Sequence, residues 1–222
     1  LEDLEDYNFY IKEIIVTINI PETLEVNLFR NNIILRTNKN PKGFGANHNA
    51  AFKNANGEYF FVLNPDLRIK NFNFETFLEK LSKTEIGVLS PSVEDKYGNI
   101  EDHFREFPSI KNILCRLLNI NSYKNKINLS DYSTPEMRWI AGMFMAFRNN
   151  IFRKISGFDE RYFMYLEDVD ICKKVNVIGK DIRIDPSNKV MHDAQRGSHK
   201  NFKLFLIHCS SYIKYFIKWF LR

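Results

Sequence analysis

Phe163-Met164-Tyr165-Leu166-Glu167-Asp168-Val169-Asp170-Ile171-Cys172 passes from aromatic and apolar side chains straight into three carboxylates within four positions. Val169, Cys172, Val175 and Val177/Ile178 then recur at helical spacing, with Lys173, Lys174 and Asn176 between them. The stretch predicts a buried approach segment that delivers acids to the first turn of an amphipathic helix. Complementing the helix dipole is by itself sufficient reason for acids at that place. Their position behind Phe163, Met164 and Tyr165 points further, because desolvation lifts a carboxyl pKa toward the range of a working acid or base.

Upstream of this stretch, short β-branched or aromatic runs alternate with helical patterns. Glu13–Ile18 and Asn32–Arg36 read as strands, and Glu58–Leu63 reads as a buried strand that stops at Asn64-Pro65-Asp66. Between them, an Asn- and Gly-rich loop from Asn38 to Asn49 leads into a helix expected over Ala46–Ala55, with Gly57 placed to end it. Phe74, Phe77, Leu78 and Leu81 form a helical face, followed by a strand at Ile86–Ser90 and a turn at Asp95–Asn99. Ile110–Ile120 reads as helix, Asn121–Glu136 as a polar loop, and Arg138–Phe147 as one strand. A short helix over Asn150–Ile155 and an extended run from Asp181 to Met191, ending at His192, complete the pattern. Leu1, Leu4 and Tyr7 look like the end of a helix. Strands alternating with helices predict an α/β fold with a mainly parallel sheet flanked by helices.

At 222 residues, the chain suits one such domain. Hydrophobic residues make up 44% and charged residues 27%, which excludes a disordered or membrane-spanning class. The net charge of +5 is compatible with several anionic partners and selects none. Cys115, Cys172 and Cys209 lie far apart, without a CxxC pair, so reduced thiols, no zinc site and a cytoplasmic location are expected. Because the chain begins at Leu1 rather than at a methionine, it reads as a fragment or processed product. Nucleic-acid binding finds no motif and no concentrated basic stripe.

Several positions carry candidate chemistry. Asp66 follows a buried strand, where open α/β sheets bind ligands, and with Asn64 it offers oxygen ligands to a divalent metal; Asn-Pro-Asp is also a good turn in its own right. Gly43-Phe44-Gly45 opens a helix and can bring backbone N–H groups to a phosphate, although it is not the dinucleotide fingerprint. His192 is a candidate neutral imidazole ligand.

In this order, Gly43-Phe44-Gly45-Ala46 with Asn49, Asn64-Pro65-Asp66, Trp139 to Met145, Gly157-Phe158-Asp159-Glu160, Phe163 to Asp170, and His192 with Gly197-Ser198 resemble the family 2 glycosyltransferases. The bacterial rhamnosyltransferase-like branch is the most similar. The resemblance implies a GT-A fold over residues 1–199, a nucleotide-diphosphate sugar donor, Mg²⁺ or Mn²⁺, inversion at the anomeric carbon, and a glycan or lipid-linked acceptor. Asp168 matches the catalytic base, Glu167 and Trp139 face the acceptor, and Asp66 with His192 serves the metal. The donor falls to Asn19, Gly43, Phe44, Gly45, Asn49, Asn64, Asp66 and Gly142. Asp170 is expected to cap the helix or pair with a basic neighbour.

Relatives begin with a strand ending in a nucleotide contact, which would precede Leu1, and their second strand commonly ends Asp-Asn where this one ends Ile18-Asn19. A degenerate, non-catalytic membrane-associated partner is the alternative reading. A nucleotidyltransferase would want a Gly-rich basic loop at its first strand, which is not seen. Residues 200–222 read as an amphipathic helix of the same domain, with Phe202, Phe205, Leu206, Cys209, Tyr212, Ile213, Phe216, Ile217 and Phe220 on a wide apolar face and basic residues around it. That face suits the inner surface of a membrane, the domain itself or a second copy.

Overall fold

The computed structural model describes residues 1–20, 32–69, 71–109, 138–192 and 202–220. In chain order the elements are α1 (Glu2–Glu5), β1 (Ile14–Ile18), β2 (Ile33–Thr37), α2 (Phe44–Phe52), β3 (Tyr59–Leu63), β4 (Leu67–Arg68), α3 (Phe74–Ser82) and β5 (Ile86–Glu94). They continue with β6 (Phe104–Glu106), β7 (Arg138–Ile140), β8 (Phe144–Arg148), α4 (Asn149–Lys154), α5 (Glu167–Val177), β9 (Asp181–His192) and α6 (Phe202–Phe220). The expected helix at Ile110–Ile120, the loop at Asn121–Glu136 and Cys115 lie outside the described residues.

The main sheet is mixed, in the order β3-β8-β5-β9-β4. β5 and β9 are parallel, and β8 runs antiparallel between β3 and β5, so β3, β5 and β9 all point the same way. β1 and β2 form a parallel pair of their own.

The reason for two helical layers is visible in β8. Phe144 and Ala146 pack with Phe72, Phe74, Phe77 and Leu81 on the α3 side. Met145 and Phe147 pack on the opposite side with Phe152, Ile171, Cys172 and Val175 of α4 and α5. Successive side chains of a strand face opposite ways, so an unbroken apolar run demands cover on both faces.

β5 runs on to Glu94, past the expected Ser90, and two further elements differ in extent. α2 begins at Phe44 rather than Ala46, because Gly43 is an extended N-cap and the Phe44 N–H donates to the Phe163 carbonyl at 3.0 Å. The run Arg138–Phe147 is not one strand. It divides at Ala141–Met143 into β7, which pairs with β6, and β8, which belongs to the main sheet. At that division the backbone turns its polar groups elsewhere: the Met143 carbonyl accepts from the Asn64 N–H at 2.9 Å, and the Gly142 N–H goes to Asp168.

Candidate active site

The carboxyl end of β3 and the amino end of α5 meet at Gly142-Met143. Asp168 Oδ2 accepts from the Gly142 N–H at 3.1 Å, and its Oδ1 accepts from the Val169 N–H at 2.8 Å. A Cβ on Gly142 would stand 3.2 Å from the Phe44 ring and 3.6 Å from Asp168 Cβ. Any side chain there would crowd both the acid and the first residue of α2. Gly43 is tighter still, since its Cβ would lie 2.6 Å from the Phe163 carbonyl oxygen, 2.8 Å from Phe163 Cα and 2.9 Å from the Tyr162 carbonyl oxygen. Glycine is therefore what lets α2 approach the segment leading to the acids.

That segment ends in two consecutive left-handed residues, Tyr165 (φ 68°) and Leu166 (φ 64°). Non-glycine residues there cost about 1–3 kcal/mol each and persist where surrounding packing imposes them. Here Leu166 is buried with Tyr162, Val169 and Tyr215, and the turn aims Glu167 and Asp168 from the start of α5.

Burial pushes the carboxyls of both Glu167 and Asp168 up, Glu167 to about 8, with the Asp168 charge adding to its rise. The two environments differ. Asp168 is offset by the Val169 and Gly142 N–H groups and by the nearby Arg105 guanidinium, whereas Glu167 Oε2 is buried without a hydrogen-bond partner. Two carboxyls in one buried site resist carrying two charges, and the N–H groups around Asp168 favour the charge on Asp168 over Glu167.

A stability prediction follows. Unfolded Glu167 ionises near its ordinary 4.5 and folded Glu167 near 8, so the folded state binds the extra proton between those values. Stability from this group is full below the lower value and is lost as pH rises through the upper one. In Glu167→Gln, thermal midpoints measured across that window should fall less with pH than in the wild type. Parallel curves would show that Glu167 ionises normally.

A second cluster sits at the other end of Gly142-Met143. The antiparallel pairing of Leu67 with His192 sets that imidazole beside Asp66, with His192 Nε2 at 3.2 Å from Asp66 Oδ2. His192 Nδ1 lies 3.0 Å from Glu101 Oε2. Asp66 Oδ1 is buried and lacks a hydrogen-bond partner. A carboxylate on Nδ1 orients an imidazole so that Nε2 can serve a metal.

Among the described residues, no group of three or more His, Cys, Asp or Glu forms a metal cage. Asp66 and His192 fit an ion that takes one or two protein ligands and completes its shell with phosphate oxygens. Asn64 precedes them at the end of β3, where its backbone N–H is held by Met143.

Trp139 and Arg105 face one another across the β6–β7 pair, with the guanidinium carbon 5.8 Å from the indole ring centre. Trp139 Nε1 donates to the Glu106 carbonyl at 3.0 Å, which fixes the ring on this wall. Glu101 and Arg105 were not singled out from sequence. Both lie in the charged run Glu101–Glu106, and only the fold brings Glu101 to His192 and Arg105 near Asp168.

Two of the expected donor residues are otherwise engaged. Asn49 Oδ1 accepts from the Phe158 N–H at 2.8 Å, and its Nδ2 donates to the Phe158 carbonyl at 2.9 Å and to Glu160 at 3.0 Å. It clamps the Gly157–Glu160 turn. The Asn19 carboxamide accepts from the Lys42 N–H at 2.8 Å and from Asn38 Nδ2 at 2.9 Å, and donates to the Lys42 carbonyl at 3.1 Å. It shapes the loop that delivers Gly43, Phe44 and Gly45.

The sequence model of glycosyl transferase family 2 matches residues 1–156, more than half of the chain. The chain belongs to glycosyl transferase family 2. Rhamnosyltransferase WbbL of Escherichia coli (strain K12) is 31% identical over 185 residues, which cover 78% of this chain and 69% of that protein. N-acetylglucosaminyl-diphospho-decaprenol L-rhamnosyltransferase of Mycobacterium tuberculosis (strain CDC 1551 / Oshkosh) is 28% identical over 145 residues, covering 61% of this chain and 47% of that one. The chain is thus a rhamnosyltransferase-like glycosyltransferase that spans about half the length of the mycobacterial relative and about two thirds of WbbL.

Among solved structures, GalNAc-T7 with UDP, GalNAc and Mn²⁺ superposes with a TM-score of 0.64 at 14% identity, over 92% of this chain and 41% of that one. A mannosyltransferase from Pyrobaculum calidifontis in complex with GDP-Man and Mn²⁺ gives a TM-score of 0.53 at 15% identity, over 84% and 46%. At such identities the likeness speaks to fold alone, and that fold is GT-A.

Proposed function

We propose that the protein transfers a sugar, rhamnose or one like it, from a nucleotide-diphosphate donor to a hydroxyl of a glycan or lipid-linked acceptor in surface-polysaccharide synthesis, with inversion and with Mg²⁺ or Mn²⁺. The observation that carries this reading is the position of Asp168. It is a desolvated carboxylate aimed by a backbone N–H at the strand break, whose next residue also holds the end of β3 that bears Asp66. The rhamnosyltransferase relatives support the sugar and, in the mycobacterial protein's name, the lipid-linked acceptor.

In this reading Asp168 takes the proton of the acceptor hydroxyl as that oxygen attacks the anomeric carbon opposite the departing diphosphate. Burial raises its pKa, which makes it a stronger base toward the acceptor's proton. Protonated Glu167 can donate a hydrogen bond to the acceptor, and Trp139 with Arg105 walls the same side. The Gly43-Phe44-Gly45 start of α2 and the Gly142 backbone lie against the donor. Asp66 and His192 would hold the metal, which supplies charge neutralisation on the leaving diphosphate.

Titration calorimetry of UDP and dTDP, with and without Mn²⁺, tests the donor half. The expected result is metal-dependent binding of one nucleotide that is lost in Asp66→Ala, the tighter nucleotide naming the donor class. Metal-independent binding, or binding unchanged by the substitution, would remove Asp66 from the site. Absence of binding to either nucleotide would favour the non-catalytic reading.

A further inference from the structure

α6 presents two faces of opposite use. Its inner face is tied to the segment that precedes the acid pair: Ser211 Oγ donates to the Met164 carbonyl at 2.9 Å, and Lys214 Nζ donates to the Arg161 carbonyl at 2.7 Å. Lys218 Nζ reaches Asp159 at 2.8 Å and Asp170 at 2.7 Å, while Tyr215 is fully buried. At 100° per residue, Phe202, Phe205, Leu206, Ile213, Ile217 and Phe220 fall on the opposite side, and they are 50–73% exposed. An apolar stripe on a helix that already packs through its other face is not accounted for by the core.

We infer that this outer stripe docks on the surface of an anionic phospholipid bilayer, with α6 lying in the plane of the interface. Charge selects this occupant. Residues 202–220 contain no acid, and although Lys218 is neutralised by Asp159 and Asp170 on the inner face, Lys203 is exposed beside the stripe and Lys214 lies on its flank. Such a helix combines apolar burial with attraction to anionic headgroups. It lies on the bilayer rather than across it, because no helix among the described residues is long and apolar enough to span one.

A groove of about 250 Å³ on the flank of the stripe supports the same occupant. Phe163, Leu206 and Ile207 give it apolar walls, and Lys203, Ser210 and Lys214 give it a polar, cationic rim, the combination a lipid headgroup and its first methylenes would meet. If the transferase reading holds, the docked helix would also keep the acid pair at a set height above the lipid surface, where a lipid-linked hydroxyl lies.

Vesicle co-sedimentation without any donor tests the docking independently of that reading. The full chain is mixed with vesicles of phosphatidylcholine alone or with added phosphatidylglycerol, at low and high salt. Binding should require the anionic lipid, weaken with salt, and fall about tenfold or more in Ile213→Ser/Ile217→Ser. Circular dichroism should show that variant folded, since both side chains point outward. Failure of the folded wild type to bind, or equal binding by the variant, would overturn the inference. So would a dimer, seen by light scattering, that the same substitutions dissociate without any vesicle binding; the stripe would then join two copies of this chain.

Discussion

Asp168→Asn should lower kcat by about 10²–10⁴, the usual worth of a positioned general base. The substitution keeps shape and keeps an oxygen that can accept from the Gly142 N–H now at 3.1 Å, so the strand break and the start of α5 stay in place. What disappears is the ability to take a proton from the attacking hydroxyl. Nucleotide affinity should stay within a few-fold of wild type, because no metal or donor role falls on this side chain. Initial rates at saturating donor and acceptor, paired with calorimetric nucleotide binding, separate the two effects. A kcat within about tenfold of wild type would mean that another group takes the proton. The neighbouring Glu167→Gln should cost less, since a neutral side chain already occupies that place near neutral pH and the amide can still donate a hydrogen bond.

The residues of this acid pair were readable because their signal is local. Two aromatics, an apolar approach and the first turn of a helix all lie within one short stretch, and α5 forms where its apolar spacing places it. The same holds for the strands, whose buried runs are continuous in sequence. What could not be read is what depends on distant partners or on backbone geometry. Nothing in Tyr165-Leu166 announces two left-handed residues; Leu166 takes that conformation while buried against Tyr162, Val169 and Tyr215.

The division of β7 from β8 is hidden for a similar reason. Arg138–Phe147 has strand composition throughout, and it breaks only because Gly142 and Met143 bond to Asp168 and Asn64 instead of to a ladder. Glu101 and Arg105 enter the site through a hairpin whose packing no periodicity reveals. Asn49 has the right spacing for a donor contact, yet its partner is the backbone of Phe158, 109 residues away. Asp170 was separable from Asp168 by helical geometry, but its actual partners lie on the C-terminal helix.

Those partners set the largest expected effect on stability. Asp170 is fully buried, and Lys218 Nζ and Trp219 Nε1 donate to its carboxylate at 2.7 and 2.8 Å. Lys218→Met would leave the apolar stem in place while removing the only cation within salt-bridge distance of Asp170 among the described residues. An uncompensated buried carboxylate costs about 3–5 kcal/mol. For a domain of this size that lowers the thermal midpoint by roughly 6 °C or more. Asp159 suffers less, because Arg161 is its nearer partner and, ahead of Lys218, holds its carboxyl well below the usual range. If the loss comes from the stranded charge rather than from the missing contact, Lys218→Met/Asp170→Asn should recover a large part of it, and a double-mutant cycle by thermal unfolding measures that recovery. An unchanged midpoint in the single variant would mean that the remaining contacts of α6, among them Tyr215, Ser211, Lys214 and Trp219, hold the helix without the charge pair. A double variant as unstable as the single would show that the lysine acts through packing and not through the charge of Asp170.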